Sequence, residues 1–250
     1  MKKLAMSILL IAAPAVAGAT TITLAGTVRD FKGASEPGGH ADFEDGISGV
    51  APGIVADTLG ADGKPVYATS PFYGATHGAA AFNQWYNDTP GVNLTAPLSL
   101  TLTEGPSGIF TYSSSAFFPI DGELFGNTPG QSHNFHFTLE LHSNFTYVTG
   151  QTFDFTGDDD VWVFIDGTRV IDLGGVHAEA SQSVALDTLG LTAGNTYNFD
   201  LFFAERHTVA SDFKLQTSIV LVPTPEPGSL LLMGAGLAGL AALRRGTSRA

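Results

Sequence analysis

Three carboxylates stand side by side in Gly157-Asp158-Asp159-Asp160. Adjacent carboxylates on one turn repel by about 1 kcal/mol per pair in water, and by several times that near a protein surface. No Lys or Arg occurs within eight residues on either side, so the local sequence supplies no counter-charge. A bound Ca2+, a hard cation that takes oxygen ligands, would relieve the repulsion. A solvated acidic turn would relieve it too, since Asp is common in turns, and both readings stay open here. Further donors stand where strands end, in Asp172-Leu173-Gly174-Gly175-Val176-His177 and in Glu205-Arg206-His207 running to Ser211-Asp212. If those loops converge, Asp158, Asp159, Asp160 and Asp212 are the candidate metal ligands, and His177, Glu205 and His207 are candidate ligand contacts.

Other chemistries fit less well. A glycosidase needs two acids flanking a bond at about 5 Å or about 6.5 to 9.5 Å, and three consecutive acids on one turn are poorly placed for that. The chain has no Cys, no Gly-x-Ser-x-Gly and no His-Glu-x-x-His, so the common nucleophile and zinc-hydrolase signatures are absent. His133 and His136 are three apart, which on a strand points them to opposite faces. Trp85, Tyr86 and Trp162 offer rings on which sugars stack. Trp162 lies in a doubly apolar segment and reads as core, while Trp85 is kept as a candidate contact.

The elements that must position these groups read as strands. In Asn134-Phe135-His136-Phe137-Thr138-Leu139-Glu140-Leu141 apolar and polar residues alternate, the signature of a half-buried strand. Tyr197, Phe199, Leu201 and Phe203 repeat the pattern, and Phe213 begins a last strand. Val161-Trp162-Val163-Phe164-Ile165 is apolar on both faces and should be a central strand covered on each side. Asp166-Gly167 then turns it into a hairpin with 169–173. Before residue 120 the chain is rich in turn dipeptides, and only 79–86 looks helical. The expected fold is all-β, an antiparallel sandwich or barrel with a loop-rich β extension at its N-terminal side.

The two ends read as targeting signals. Met1-Lys2-Lys3, an apolar run and Ala17-Gly18-Ala19 make a secretory signal peptide over residues 1–19. At the other end Pro225-Glu226-Pro227 precedes a charge-free stretch at 228–243 and then Arg244-Arg245. Sixteen helical residues span roughly 24 Å, somewhat short of a ~30 Å hydrocarbon core. This stretch would hold the chain in the membrane with its arginines on the cytoplasmic side. Between them lies the domain at 20–220; five of the eleven basic residues leave with the two ends, while all 24 acids, Glu226 included, stay in the region 20–227. The exported region then carries 24 acidic against six basic residues, a formal −18. Nucleic acid is excluded as a partner by that sign. With no cysteine, the domain must rely on its apolar core, for which eighteen Phe are available.

The C-terminal Pro-Glu-Pro, apolar stretch and arginine cluster resemble the PEP-CTERM sorting tail of exopolysaccharide-producing Gram-negative bacteria. That resemblance implies an exosortase-type sorting enzyme as partner, processing of the tail after 221–250 reaches the membrane, and a cell-surface or matrix destination. Between the ends, Thr27-Val28-Arg29-Asp30-Phe31, His40-Ala41-Asp42-Phe43-Glu44, Phe82-Asn83-Gln84-Trp85-Tyr86, Gly157 to Asp166 and Phe203-Ala204-Glu205-Arg206-His207 resemble, in order, the blocks of the fibro-slime domain. The second half of that family is similar to the protective-antigen-type β domain of toxins, flocculins and glycosidases. In adhesin members the paired Asp, often joined by a cis peptide, holds calcium that also contacts sugar hydroxyls. The resemblance thus implies a calcium-dependent, non-catalytic carbohydrate- or matrix-binding role at Asp158 and Asp159. The chain departs from that pattern at Asp160, where Gly is usual.

Overall fold

The computed structural model of the chain describes residues 19–69 and 75–223. All but the last residue of the signal at 1–19, the Pro225-Glu226-Pro227 motif and the apolar stretch at 228–243 lie outside the described residues. In chain order the strands are β1 (Thr21–Phe31), β2 (Val55–Leu59), β3 (Pro65–Tyr67), β4 (Asn93–Glu104), β5 (Phe110–Ser114), β6 (Phe137–Thr146) and β7 (Thr152–Gly157). There follow β8 (Asp160–Ile165), β9 (Thr168–Leu173), β10 (Ala180–Ala185), β11 (Thr196–Glu205), β12 (Phe213–Thr217) and β13 (Val222–Pro223). A single turn of helix, α1 (Ala79–Phe82), falls inside the segment read as helical.

All the ladders are antiparallel, and the strands run in the order β10-β7-β12-β5-β4-β1-β6-β11-β8-β9-β2-β3, with β13 on β6. The sheet curls on itself, and the Asp172 amide of β9 donates to Gln182 Oε1 of β10 at 2.8 Å. The main core fills the inside of the curl. Val161, Val163 and Ile165 of β8 meet Phe199, Leu201 and Phe203 of β11, together with Phe153, Phe155, Phe213 and Leu215. The other residues of the same strands, Trp162, Phe164, Phe202 and Ala204, face outward into a second core. That core is made by the N-terminal loops, through Phe43, Ile54, Phe82, Trp85 and Tyr86. The doubly apolar stretch at 161–165 is therefore a strand covered on both faces, with all six residues of β8 buried. Its hairpin turn has positive φ at Asp166 (50°) and Gly167 (73°), as a two-residue type I′ connection requires. The loop-rich N-terminal part is woven into the sheet, because β1 lies between β4 and β6 and carries Arg29 and Asp30 into buried positions.

The polar side of β6, which the alternation alone places in solvent, is covered as well. Thr138 donates its hydroxyl to the Trp85 carbonyl at 2.5 Å. Glu140, with 4% of its side chain exposed, accepts from Arg29 Nη1 at 3.0 Å and pairs with Lys64. His142 Nδ1 lies 2.7 Å from Asp200 Oδ1, and its Nε2 lies 3.8 Å from Glu140, an ion-pair rather than a hydrogen-bond distance. Burial alone would raise the Glu140 carboxyl, yet the contacts with His142, Arg29 and Lys64 outweigh it and hold its pKa at about 2. Burial would likewise depress His142, but Asp200 and Glu140 lift it to about 9. The folded chain thus binds the His142 proton more tightly than the unfolded one, whose value is near 6.5. That contribution is complete below about pH 6.5 and is lost as the pH rises through about 9. The Glu140 contribution is complete above about pH 4.5 and is lost toward about pH 2. Denaturant unfolding should therefore show the natural chain about 2–3 kcal/mol more stable than His142→Gln at pH 6, with the gap closing by pH 10. A gap that stays constant from pH 6 to 10 would contradict this account.

Candidate functional site

The acidic turn joins β7 to β8 at the mouth of a cavity of about 330 Å³. Asp158, Asp159, His177, His207 and Asp212 line it, with Ile47 and Val209 exposed at the rim. The loops do converge, because β7 and β12 come together at Gly157. A Cβ on Gly157 would stand 2.3 Å from the Asp212 carbonyl oxygen, so only glycine allows this approach. Asp158 then pairs with Asp212 through the backbone. Its amide donates to Asp212 O at 3.2 Å, and its Oδ1 accepts from the Asp212 amide at 2.5 Å. The Asp158–Asp159 peptide bond is cis. Asp159 Oδ1 accepts from the His177 amide (3.1 Å) and its Oδ2 from the Arg206 amide (3.0 Å). Two carboxylates thus stitch together the loops after β7, β9 and β11.

Charge at this point is poorly compensated. Burial pushes the Asp159 carboxyl well above its usual range against the pull of Arg206, and Asp160 and Asp158 add to the rise. Glu205 is pushed up by burial first and then by Asp159 and Asp158. Asp158 is raised by burial, with the Asp212 charge contributing. Glu205 Oε2 is buried and has no hydrogen-bond partner among the described residues. Glu205 is thus a buried acid with an unsatisfied oxygen, raised further by the charges of Asp159 and Asp158. Among the described residues, no group of three or more His, Cys, Asp or Glu side chains is arranged to hold a metal ion. Oxygen ligands beyond Asp158 and Asp159 would therefore include backbone carbonyls, water or a bound ligand's own hydroxyls.

Two sequence expectations need correction. Asp160 is not at the cavity: it has no exposure, its Oδ2 pairs with Arg206 Nε at 2.6 Å, and its Oδ1 accepts from the Gly175 amide. Both oxygens are used inside the second core, so Asp160 is no ligand. Trp85 is fully buried rather than available to a sugar. Its Nε1 donates to Asp42 Oδ2 at 3.0 Å, and the Arg206 guanidinium lies 4.6 Å from its ring centroid. His177 and His207 do line the cavity, but both ring nitrogens of His177 face carbonyl oxygens, of Ala178 and Leu173. It is the His177 amide that serves the site.

The residue that sequence reasoning missed is Arg206. It is wholly buried, and beyond Asp160 its Nη1 donates to the carbonyls of Asp42 and Ala75, both at 3.1 Å. The cation absent from the neighbourhood of the acidic turn comes from 46 residues away. Its one signal was scarcity, as one of only six basic residues in the exported region. Glu44 was missed as well. It accepts from the Thr208 hydroxyl (2.6 Å), the Thr208 amide (3.0 Å) and His136 Nε2 (3.0 Å), tying an N-terminal loop to the loop after β11.

Alongside this curled antiparallel sheet with its Asp pair at the start of a buried strand, the model of the PA14 domain matches residues 118–226. The PEP-CTERM protein-sorting motif matches residues 223–245. The chain thus carries a PA14 domain followed by a PEP-CTERM sorting motif. It is 43% identical over 200 residues to protein psiQ of Dictyostelium discoideum, covering 74% of this chain and 20% of psiQ. It is 44% identical over 191 residues to protein psiD of the same organism (71% and 38%), and 40% over 219 residues to psiC (81% and 42%). The chain therefore spans between a fifth and about two-fifths of the length of these relatives. These matches reach well beyond the PA14 region, which is consistent with the fibro-slime resemblance. Among solved structures, the PA14 sugar-binding domain from an RTX adhesin superposes with a TM-score of 0.36 at 13% identity, covering 81% of this chain and 98% of that one. The PA14 domain of the MpAFP antifreeze protein gives 0.33 at 10%, covering 82% and 86%.

Breaking a buried pair by removing one partner costs about 3–5 kcal/mol, because the other charge is stranded. Arg206→Met should therefore destabilise the chain by about that amount in urea unfolding, and adding Asp160→Asn should restore part of the loss. A single-variant loss under about 1 kcal/mol, the range of exposed pairs, would show that the pair does not anchor the site.

Proposed function

We propose that this chain is an extracellular, non-catalytic module that binds carbohydrate or matrix polymer through a calcium ion held by Asp158 and Asp159. The observation that carries the reading is the pair of buried carboxylates lining a solvent-open cavity, with Arg206, the guanidinium beside them among the described residues, committed to Asp160. Calcium bound there would offer its remaining coordination positions to sugar hydroxyls, as the adhesin resemblance implies. The rim residues Ile47 and Val209 would meet the apolar face of a ring. The PEP-CTERM motif supports a destination at the surface or matrix of a Gram-negative bacterium. In this reading the stretch at 228–243 holds the chain in the membrane until an exosortase-type enzyme acts on the tail at Pro225-Glu226-Pro227.

A second reading has its own support. Asp158 and Asp159 each accept backbone amides from neighbouring loops, so an ion at that point would also rigidify those loops without meeting any sugar. A hydrolase is disfavoured, since both carboxylates sit on one turn rather than on either side of a cleft.

Calcium titration by calorimetry, followed by a glycan array with and without chelator, tests the proposal. Calcium binding that weakens by about a hundredfold or more in Asp159→Asn, with glycan signal lost on chelation, is the expected result. Calcium-dependent melting with a blank array would favour the loop-rigidifying reading. Unchanged calcium affinity in both Asp158→Asn and Asp159→Asn would sink the site itself.

A further inference from the structure

A cavity of about 790 Å³ lies away from the acidic turn, on the outer face of β1, β6 and β11. It is bounded by the loop at 59–64, by Asp88 and by the Asp166-Gly167 turn. Its floor is the polar network already described, in which acid and base alternate across the strands. Asp88 meets Arg29 at 2.8 Å, Arg29 meets Glu140 at 3.0 Å, Glu140 meets His142 at 3.8 Å, and His142 meets Asp200 at 2.7 Å. Lys64 closes over Glu140 from the loop side.

We propose that this cleft is a second saccharide-binding site, one that takes a short run of neutral, hydroxyl-rich sugar units without a metal ion. The volume lies in the range of ligand pockets, about 300–1,000 Å³. Charge decides the class of ligand. Five carboxylates line the cleft (Asp62, Asp88, Glu140, Asp166, Asp200), so an anion is repelled, while Arg29, Lys64 and His142 on the floor and wall oppose a bound cation. A sugar hydroxyl donates and accepts at once and matches a surface where charged donors and acceptors alternate. Hydrogen bonds to such groups are the stronger kind. The side chains are also held before a ligand arrives, since Arg29 and Glu140 lock each other with 6% and 4% of their side chains exposed. That spares the ordering cost a looser surface would incur.

The two sites are built on opposite ends of one strand. β8 runs from Asp160, next to the acidic turn, to Ile165, next to the Asp166-Gly167 wall of this cleft. Five residue steps separate them by roughly 17 Å. A polymer chain or two chains of one matrix could be held at both places, and linked weak sites then act with an affinity neither has alone. This cleft does not depend on calcium, which separates it from the function proposed for the Asp158–Asp159 end.

The test is calorimetry on the full chain with neutral trisaccharides of glucose, mannose and galactose, in EDTA and in calcium. Asn198 and Thr95 line the cleft and are exposed, so Asn198→Trp and Thr95→Trp should obstruct it without disturbing the fold, as an unchanged melting temperature would confirm. Binding of at least one trisaccharide should survive EDTA and Asp159→Asn, and should weaken by about tenfold or more in both tryptophan variants. The proposal fails if no trisaccharide binds in EDTA, or if EDTA-resistant binding is the same in both tryptophan variants. Loss of all binding in Asp159→Asn also overturns it and leaves the calcium reading standing.

Discussion

The arrangement at the acidic turn depends on one contact, the ion pair between Arg206 and Asp160, in which neither side chain has any exposure. Taking both charges out of water is expensive, and pairs of this kind seldom add net stability over apolar residues of the same size. What the pair does is sort the three adjacent carboxylates. Asp160 is drawn inward and neutralised, so Asp158 and Asp159 are left as a pair facing the cavity. The same guanidinium holds the carbonyls of Asp42 and Ala75 and lies over Trp85, while the Arg206 amide holds Asp159. One residue therefore fixes the acidic turn, the loop after β11 and the N-terminal cover in a single geometry.

This also explains the departure from the related pattern at Asp160. A glycine there would carry no charge and need no partner. A carboxylate buried at that place would be intolerable alone, and Arg206 answers it. The second core is the setting that makes the answer possible. The guanidinium lies over Trp85, whose ring packs against Phe82 and Trp162, and Asp42, itself buried, accepts from the Trp85 indole. Asp42, Asp160 and the Trp85 indole are each held by another polar group, the condition on which such groups are tolerated in an interior, while Tyr86 Oη and Arg206 Nη2 are buried with no hydrogen-bond partner among the described residues.

Local patterns were read well and distant pairings were not. Val161 to Ile165 announced a strand covered on both faces because the period of a strand is two, and every residue in it is apolar. Asp166-Gly167 announced its turn because few residues accept positive φ. The polar positions of β6 looked solvated because nothing near Thr138 or Glu140 in sequence reveals that Trp85, Arg29 and Lys64 come to cover them. Trp85 looked available for the same reason, since its acceptor, Asp42, lies 43 residues away. The position of β1 between β4 and β6 was equally hidden, as it rests on pairings to residues more than 60 positions distant.

The placement of chemistry follows from that same double covering. A strand apolar on both faces has no side from which a ligand can reach it, so β8 can present polar groups only where it begins and where it ends. At its start the Asp pair must turn out of the sheet, and the close backbone approach at Gly157 holds it against β12. At its far end the hairpin turn at Asp166 projects past the sheet and meets the polar floor laid by Arg29, Glu140 and Asp200. A rigid interior with chemistry confined to its two ends suits binding rather than movement, because the strand that separates the ends is packed on both sides and cannot shift without opening both cores.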